Sequence, residues 1–375
     1  MQRAGRIVEA MSGLAKGFTP NWFAVTMGTG VLALALEQLP LDIAGRHELA
    51  RGLWLFNVCV FGVCTVLYGL HWMLHPIEAR NTLHHPTQSL FLGTIPMGLA
   101  TILNGILKFA TAEWGEAAVH LAVVLWYVDV GLSLICAWLV PYSMFTRQKH
   151  VLADMTAMWL LPLVAAEVAA ASGALLLQHL PADTHAQHIL IASYALWGLS
   201  VLPAMGVLAI LFLRMALHKL PPREMAATSW LSLGPIGTGA LSLLLLGDGA
   251  PRVLGNTSFA NIAEVAHGVG ILAGGALWGT GVWWLGLALL VTVRYLREGM
   301  PFTLGWWGFT FPLGVFSLAT LALFRDTQLA LFKISGSALV VLLAAIWCVV
   351  AGRTAACLWT MLRCFSTKRA ATRLA

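Results

Sequence analysis

The chain has 375 residues, 59% of them hydrophobic and only 10% charged, against about 25% charged residues in soluble domains. That composition leaves too little polar surface to cover a soluble fold of this size, so apolar stretches must face lipid. The formal net charge is +6, but the excess sits in loops and near the C-terminus rather than along an aromatic-studded groove, which argues against nucleic acid as a partner.

Residues 1–16 carry Arg3, Arg6 and Lys16 without an apolar core long enough for a cleavable signal peptide. They read as a short cytoplasmic N-terminal segment. Stretches with few or no charged residues follow at about 17–36, 52–77, 87–107, 117–146, 155–182, 184–213, 225–247, 265–293, 299–324 and 334–352. Each is long enough for the roughly 20 residues that a crossing helix needs. The pattern predicts an all-α integral membrane protein with one ten-helix transmembrane domain over 17–352 and a basic cytoplasmic tail over 353–375.

Ten spans put both termini on one side. The termini and the loops after even-numbered spans hold 16 of the 22 Lys and Arg, and the opposite side holds Arg46, Arg51, Lys108, Arg252, Arg325 and Lys333. By the positive-inside rule the termini are cytoplasmic, and the plasma (inner) membrane is the expected location. The 16 Trp and 36 Gly suit a membrane protein, because Trp collects at the water interfaces and Gly is common in membrane helices. The six cysteines, Cys59, Cys64, Cys136, Cys348, Cys357 and Cys364, form no CxxC pair and read as packing residues.

The odd-numbered spans share a further mark. They contain Gly28, Pro96, Pro162, Pro235 and Pro312, and the prolines recur after 66, 73 and 77 residues, so the unit is a helical hairpin repeated five times. A proline within a helix removes a backbone bond and frees a carbonyl, which hydrocarbon tolerates only where protein or water satisfies it. Five such helices can share one water-lined axis, with the even spans outside; close packing of ordinary membrane helices is the alternative for any single break. Thr26, Thr94, Thr238 and Thr310 would then offer hydroxyls, alongside half-helix N-termini that suit an anion.

Four ionisable residues fall within or beside spans, where charge is costly. Glu167 lies five residues after Pro162 and is the first candidate for binding protons or tuning pore charge. Asp129 on an even span suits a structural hydrogen bond. Glu264 and His267, three apart, share a helix face and can pair as proton carriers or simply pack. His71 and His75, with His84 and His85 nearby, lack the carboxylate or thiolate that would complete a zinc site, so no metal or other cofactor is expected.

Ser89-Leu90-Phe91-Leu92-Gly93-Thr94-Ile95-Pro96-Met97-Gly98-Leu99-Ala100-Thr101-Ile102, Leu125-Trp126-Tyr127-Val128-Asp129, Leu233-Gly234-Pro235-Ile236-Gly237 and Gly305-Trp306-Trp307-Gly308-Phe309-Thr310-Phe311-Pro312 are the most specific pieces of a resemblance running from about Phe18 to Leu362. The chain resembles the tellurite-resistance and dicarboxylate transporter family, which includes plant guard-cell slow anion channels, fungal malate permeases and fungal sulfite efflux pumps, and it looks nearest the sulfite efflux branch. The resemblance implies ten helices as five hairpins in quasi-five-fold arrangement around a central pore, often a trimer. It implies that Phe311 plugs that pore, although packing between helices also suits a membrane phenylalanine. Small inorganic or organic anions, sulfite before malate, become the expected substrates, in a bilayer of ordinary lipid. No nucleotide motif points to ATP-driven transport, and neither an intramembrane enzyme nor a sensor finds its required residues here.

Overall fold

The computed structural model describes residue 13 and residues 15–371, with side chains described as far as residue 360. The rest of the N-terminal segment read from the sequence, residues 1–12 and 14, lies outside the described residues. Every regular element among the described residues is helical. The ten long helices are α1 (Phe23–Glu37), α2 (Arg46–Leu74), α3 (Thr94–Gly105), α4 (Glu116–Thr146), α5 (Leu161–Leu176), α6 (Thr184–His218), α7 (Leu233–Leu254), α8 (Ala260–Glu298), α9 (Thr310–Thr327) and α10 (Ala330–Ala371). The last extends the tenth apolar stretch through residues 353–371 as helix.

Nine helical stretches among the described residues are long and apolar enough to cross a membrane. The tenth, α1, has 15 residues, about 22 Å of rise, and its 3₁₀ lead-in Pro20–Trp22 adds about 6 Å, just short of a hydrocarbon core of about 30 Å. The stretches containing α3, α5, α7 and α9 are 89, 83, 94 and 89% buried, whereas those of α2, α4, α6, α8 and α10 are 17 to 33% buried. The helices therefore form a buried set and a lipid-facing set that alternate along the chain. Within the buried set α1 packs on α3, α3 on α5, α5 on α7, α7 on α9 and α9 back on α1.

All five buried helices begin alike. A 3₁₀ turn leads into each: Pro20–Trp22, Ser89–Gly93, Ala157–Leu160, Arg223–Trp230 and Leu304–Phe309. Pro96, Pro162, Pro235 and Pro312 stand second or third in the α-helices that follow. At this junction the ladder changes from 3₁₀ to α, with Gly234 N–H donating to Leu231 O at 3.0 Å, and the proline removes a donor where the ladder is already changing its register. The sequence reading of mid-helix breaks is thereby corrected: the prolines fix where the helix type changes. Prolines deep inside helices occur at Pro141 and Pro203 in the lipid-facing set and at Pro251, near the C-terminal end of buried α7. Gly28 interrupts nothing, because α1 runs through it; a Cβ there would stand 2.1 Å from Thr310 Oγ1 and 2.8 Å from Trp307, so glycine lets α1 and α9 close on each other.

A second repeat was not legible as such in the sequence. One tryptophan from each lipid-facing helix donates its indole N–H to the buried helix of the next hairpin. Trp54 reaches Ile102 O (3.2 Å), Trp126 reaches Ala169 O (2.8 Å), Trp197 reaches Gly239 O (3.0 Å), Trp278 reaches Thr320 Oγ1 (2.9 Å) and Trp347 reaches Thr29 Oγ1 (3.1 Å). In hydrocarbon no water competes for these groups, so each bond between helices is retained. These five side chains tie helices together, a role that the interfacial reading of Trp did not foresee.

Candidate functional site

The N-terminal ends of all five buried helices converge on one cavity of about 230 Å³. Ala24 and Met27 enter it from α1, Thr94 and Met97 from α3, Leu161 and Val164 from α5, Gly234 from α7, and Phe311 and Pro312 from α9. Its wall is mainly apolar, with Phe91, Met158, Met225 and Trp307 among the lining side chains and Thr87, Thr228, Thr303 and Glu224 as polar ones. Phe311 is 4% exposed. A second cavity, about 370 Å³, lies among the C-terminal ends of α1, α3, α5 and α9 and is lined by Gln38, Asn104, Lys108, Gln178, His179, Arg325 and Gln328 together with apolar side chains. Since their N-terminal residues meet at one cavity and their C-terminal residues at the other, α1, α3, α5 and α9 run parallel, and α7 starts from the same end as these four.

Of the four threonines expected to line an axis, Thr94 lies on a cavity wall. Its Oγ1 is 2.6 Å from Phe91 O and 2.9 Å from Pro20 O. Thr26 donates to Phe23 O and Thr310 to Trp307 O, both at 2.7 Å. These hydroxyls cover carbonyls three residues back, where the change of helix type disturbs the backbone ladder. Thr238 is buried and its Oγ1 has no partner among the described residues.

Glu167 is fully buried on α5 and lines neither cavity. Ser242 on α7 donates to its backbone carbonyl at 3.0 Å, while both carboxyl oxygens lack a partner among the described residues. Asp129 is equally buried on α4 with both oxygens unpartnered, between Trp126 and Ser133, which donate to Ala169 O and Ala165 O of α5. Placement away from both cavities gives an expected result for Glu167→Gln. The amide keeps the shape of the acid, so anion flux into proteoliposomes should stay within about twofold of wild type and keep its pH profile; a flattened profile would instead make Glu167 a carrier of protons.

Glu264 and His267 do not pair. His267 Nδ1 lies 3.3 Å from Asp248 Oδ1, because α7 packs on α8 and brings that carboxylate within reach, while Glu264 is exposed. The remaining histidines are dispersed in their bonding. His71 donates to Ala15 O (2.9 Å), Arg147 donates to His84 (3.0 Å), and His85 Nδ1 accepts from the backbone N–H groups of Thr87 and Gln88 (both 3.2 Å). Among the described residues no group of three or more His, Cys, Asp and Glu could hold a metal ion.

Residues 17–355 match the SLAC1 family, described as voltage-dependent anion channel. The chain belongs to this family. Its relatives include the sulfite efflux pump SSU1 of Arthroderma otae, 39% identical over 335 residues that make up 89% of this chain and 88% of the pump. An uncharacterized transporter of Methanocaldococcus jannaschii is 28% identical over 92% of this chain and 95% of its own length. The malic acid transport protein of Schizosaccharomyces pombe is 22% identical over 88% of this chain and 76% of its own. The chain is thus an anion transporter of the membrane and not an enzyme.

Proposed function

We propose that the chain exports sulfite, which passes along the axis of five parallel helices between the two cavities. The observation that carries this reading is the placement of a cavity at each end of the same buried helices. Ten crossing helices, arranged as five hairpins with quasi-five-fold symmetry around a pore, complete the architecture. The return of α9 to α1 and the five tryptophan bonds support it. Positive-inside counting puts the termini and the apolar cavity in the cytoplasm and the polar cavity outside the plasma membrane. Phe311 closes the pore at the floor of the cytoplasmic cavity. Assembly as a homotrimer belongs to the same reading and is checked by cross-linking in native membranes.

Sulfite is favoured by the likeness to sulfite efflux pumps at 39% identity. The alternative, malate, has its support in the likeness to the malic acid transport protein. Two carboxylates call for paired cationic partners at each binding point; the apolar cavity has no Lys or Arg among the described residues of its wall, whereas the polar cavity has Lys108 and Arg325. Purified protein in liposomes, assayed for flux of sulfite, malate, chloride and nitrate, tests the choice. Sulfite flux several-fold above malate flux is the expected order, and the reverse order would move the protein to the dicarboxylate branch.

A further inference from the structure

The polar cavity contains more than a water-filled mouth requires. Lys108 lies in a five-residue π-helical turn, Ile106–Ala110, that follows α3. Such turns shift the register of the side chains beyond them and are frequent at functional positions. Lys108 makes no ion pair among the described residues. The Asn104 amide, one turn earlier, makes no side-chain hydrogen bond among the described residues, its oxygen being buried, and the side chains of Gln38, Gln178 and His179 make none either, so each amide can turn its NH2 group toward a ligand. All five line the same cavity.

The charges around them favour an anion. The C-terminal ends of four helices carry partial negative charge and would by themselves repel one. Lys108 and Arg252 offset that field, whereas the charge of Arg325 is balanced by its aspartate partners. Arg252 donates to the carbonyls of Gln178 and Leu180, bracing the turn that bears His179. The nearby carboxylates are engaged elsewhere: Asp248 holds Arg325 at 3.0 Å and His267 at 3.3 Å, and Asp326 meets Arg325 at 3.4 Å. Neither aspartate lines the cavity, so Lys108 stands there uncompensated among neutral amides.

We infer that this cavity is a binding site for a small oxyanion, with Lys108 supplying the charge and Asn104, Gln38, Gln178 and His179 supplying neutral hydrogen-bond donors. At about 370 Å³ the cavity holds such an anion with part of its hydration. Its place as an exit subsite rests on the pore proposed above, while binding itself needs neither membrane nor gradient. Burial, then the charges of Arg252 and Lys108, hold the His179 imidazole below its ordinary pKa. A bound anion raises that pKa, and so does removal of the Lys108 charge.

Sodium sulfate is the probe, titrated into the purified protein in detergent at constant ionic strength with gluconate, and read by thermal midpoint and by imidazole NMR. Wild type should be stabilised saturably, with the His179 titration moving upward. Lys108→Gln should weaken sulfate about tenfold, as expected for loss of a charge-assisted hydrogen bond, and raise the His179 titration before any sulfate is added. Lys108→Arg should restore affinity. Lys333→Gln removes a cation that sits over the ring of Phe324, a wall residue, without itself lining the cavity, and should leave sulfate affinity unchanged. Absent stabilisation in wild type, unaltered affinity in Lys108→Gln, or equal loss in Lys333→Gln would each overturn the site. Should Lys108→Gln fail to fold, Asn104→Ala should weaken sulfate several-fold while leaving the His179 titration before sulfate as in wild type, and unaltered affinity there would overturn the site. A protein that binds sulfate yet passes no sulfite would refute the pore and leave the site standing.

Discussion

Phe311→Ala is expected to raise sulfite flux through proteoliposomes by about tenfold or more and to blunt discrimination among anions, because an apolar ring at a constriction excludes hydrated ions. Phe311 reaches the cavity shared by all five buried helices and stands immediately before Pro312. Its neighbours in that wall include Met97, Val164 and Gly234, none of which replaces an aromatic ring once the phenyl group is gone. A phenylalanine that merely packs would behave differently, lowering the thermal midpoint with flux unchanged. Measuring both quantities on the same preparation separates the two roles. Unchanged flux would remove Phe311 from the gate.

Gly93→Ala is the substitution expected to damage the fold most. A Cβ at Gly93 would lie 2.3 Å from the carbonyl oxygen of Leu161, 2.8 Å from its carbon and 3.0 Å from the Cα of Pro162. All three are backbone atoms, so no side chain can turn aside. The turn before α3 and the first turn of α5 would have to separate, at a cost of about 1–3 kcal/mol or more, and the thermal midpoint should fall by about 5 °C or more. Gly62→Ala and Gly131→Ala, on lipid-facing helices with nothing within 4 Å, should be neutral or slightly stabilising. A Gly93→Ala protein as stable as wild type would mean that these two helices do not approach as described.

Long apolar stretches and the recurring prolines were legible because hydropathy and the missing N–H of proline are local properties. They located the buried helices and, through Phe311 and Pro312, one wall of the apolar cavity. What a proline does at its position was not legible. Whether it breaks a helix or begins one depends on the segment before it, and the 3₁₀ turns preceding Pro96 and Pro312, Ser89-Leu90-Phe91-Leu92-Gly93 and Leu304-Gly305-Trp306-Trp307-Gly308-Phe309, share no residue pattern that marks the helix type. Thr26 and Thr310 were misjudged for a related reason: a hydroxyl in an apolar stretch suggests a polar surface, yet the nearest acceptor is its own backbone. Lys108 counted only as a charge in a loop, because a π-helical turn is set by tertiary packing. The tryptophans that join hairpins recur after 72, 71, 81 and 69 residues. That signal was present, but it was hidden among eleven other tryptophans.

The tryptophan bonds also impose an order on biogenesis. Four of them join a hairpin to the one synthesised after it, so each can form as the chain emerges. The fifth, from Trp347 to Thr29, spans almost the whole translated length and must wait for the final hairpin. Until then Thr29 on α1 lacks the indole that covers it in the folded protein. Trp347→Phe should therefore slow maturation in pulse-chase experiments more than Trp126→Phe does, although each deletes a single hydrogen bond.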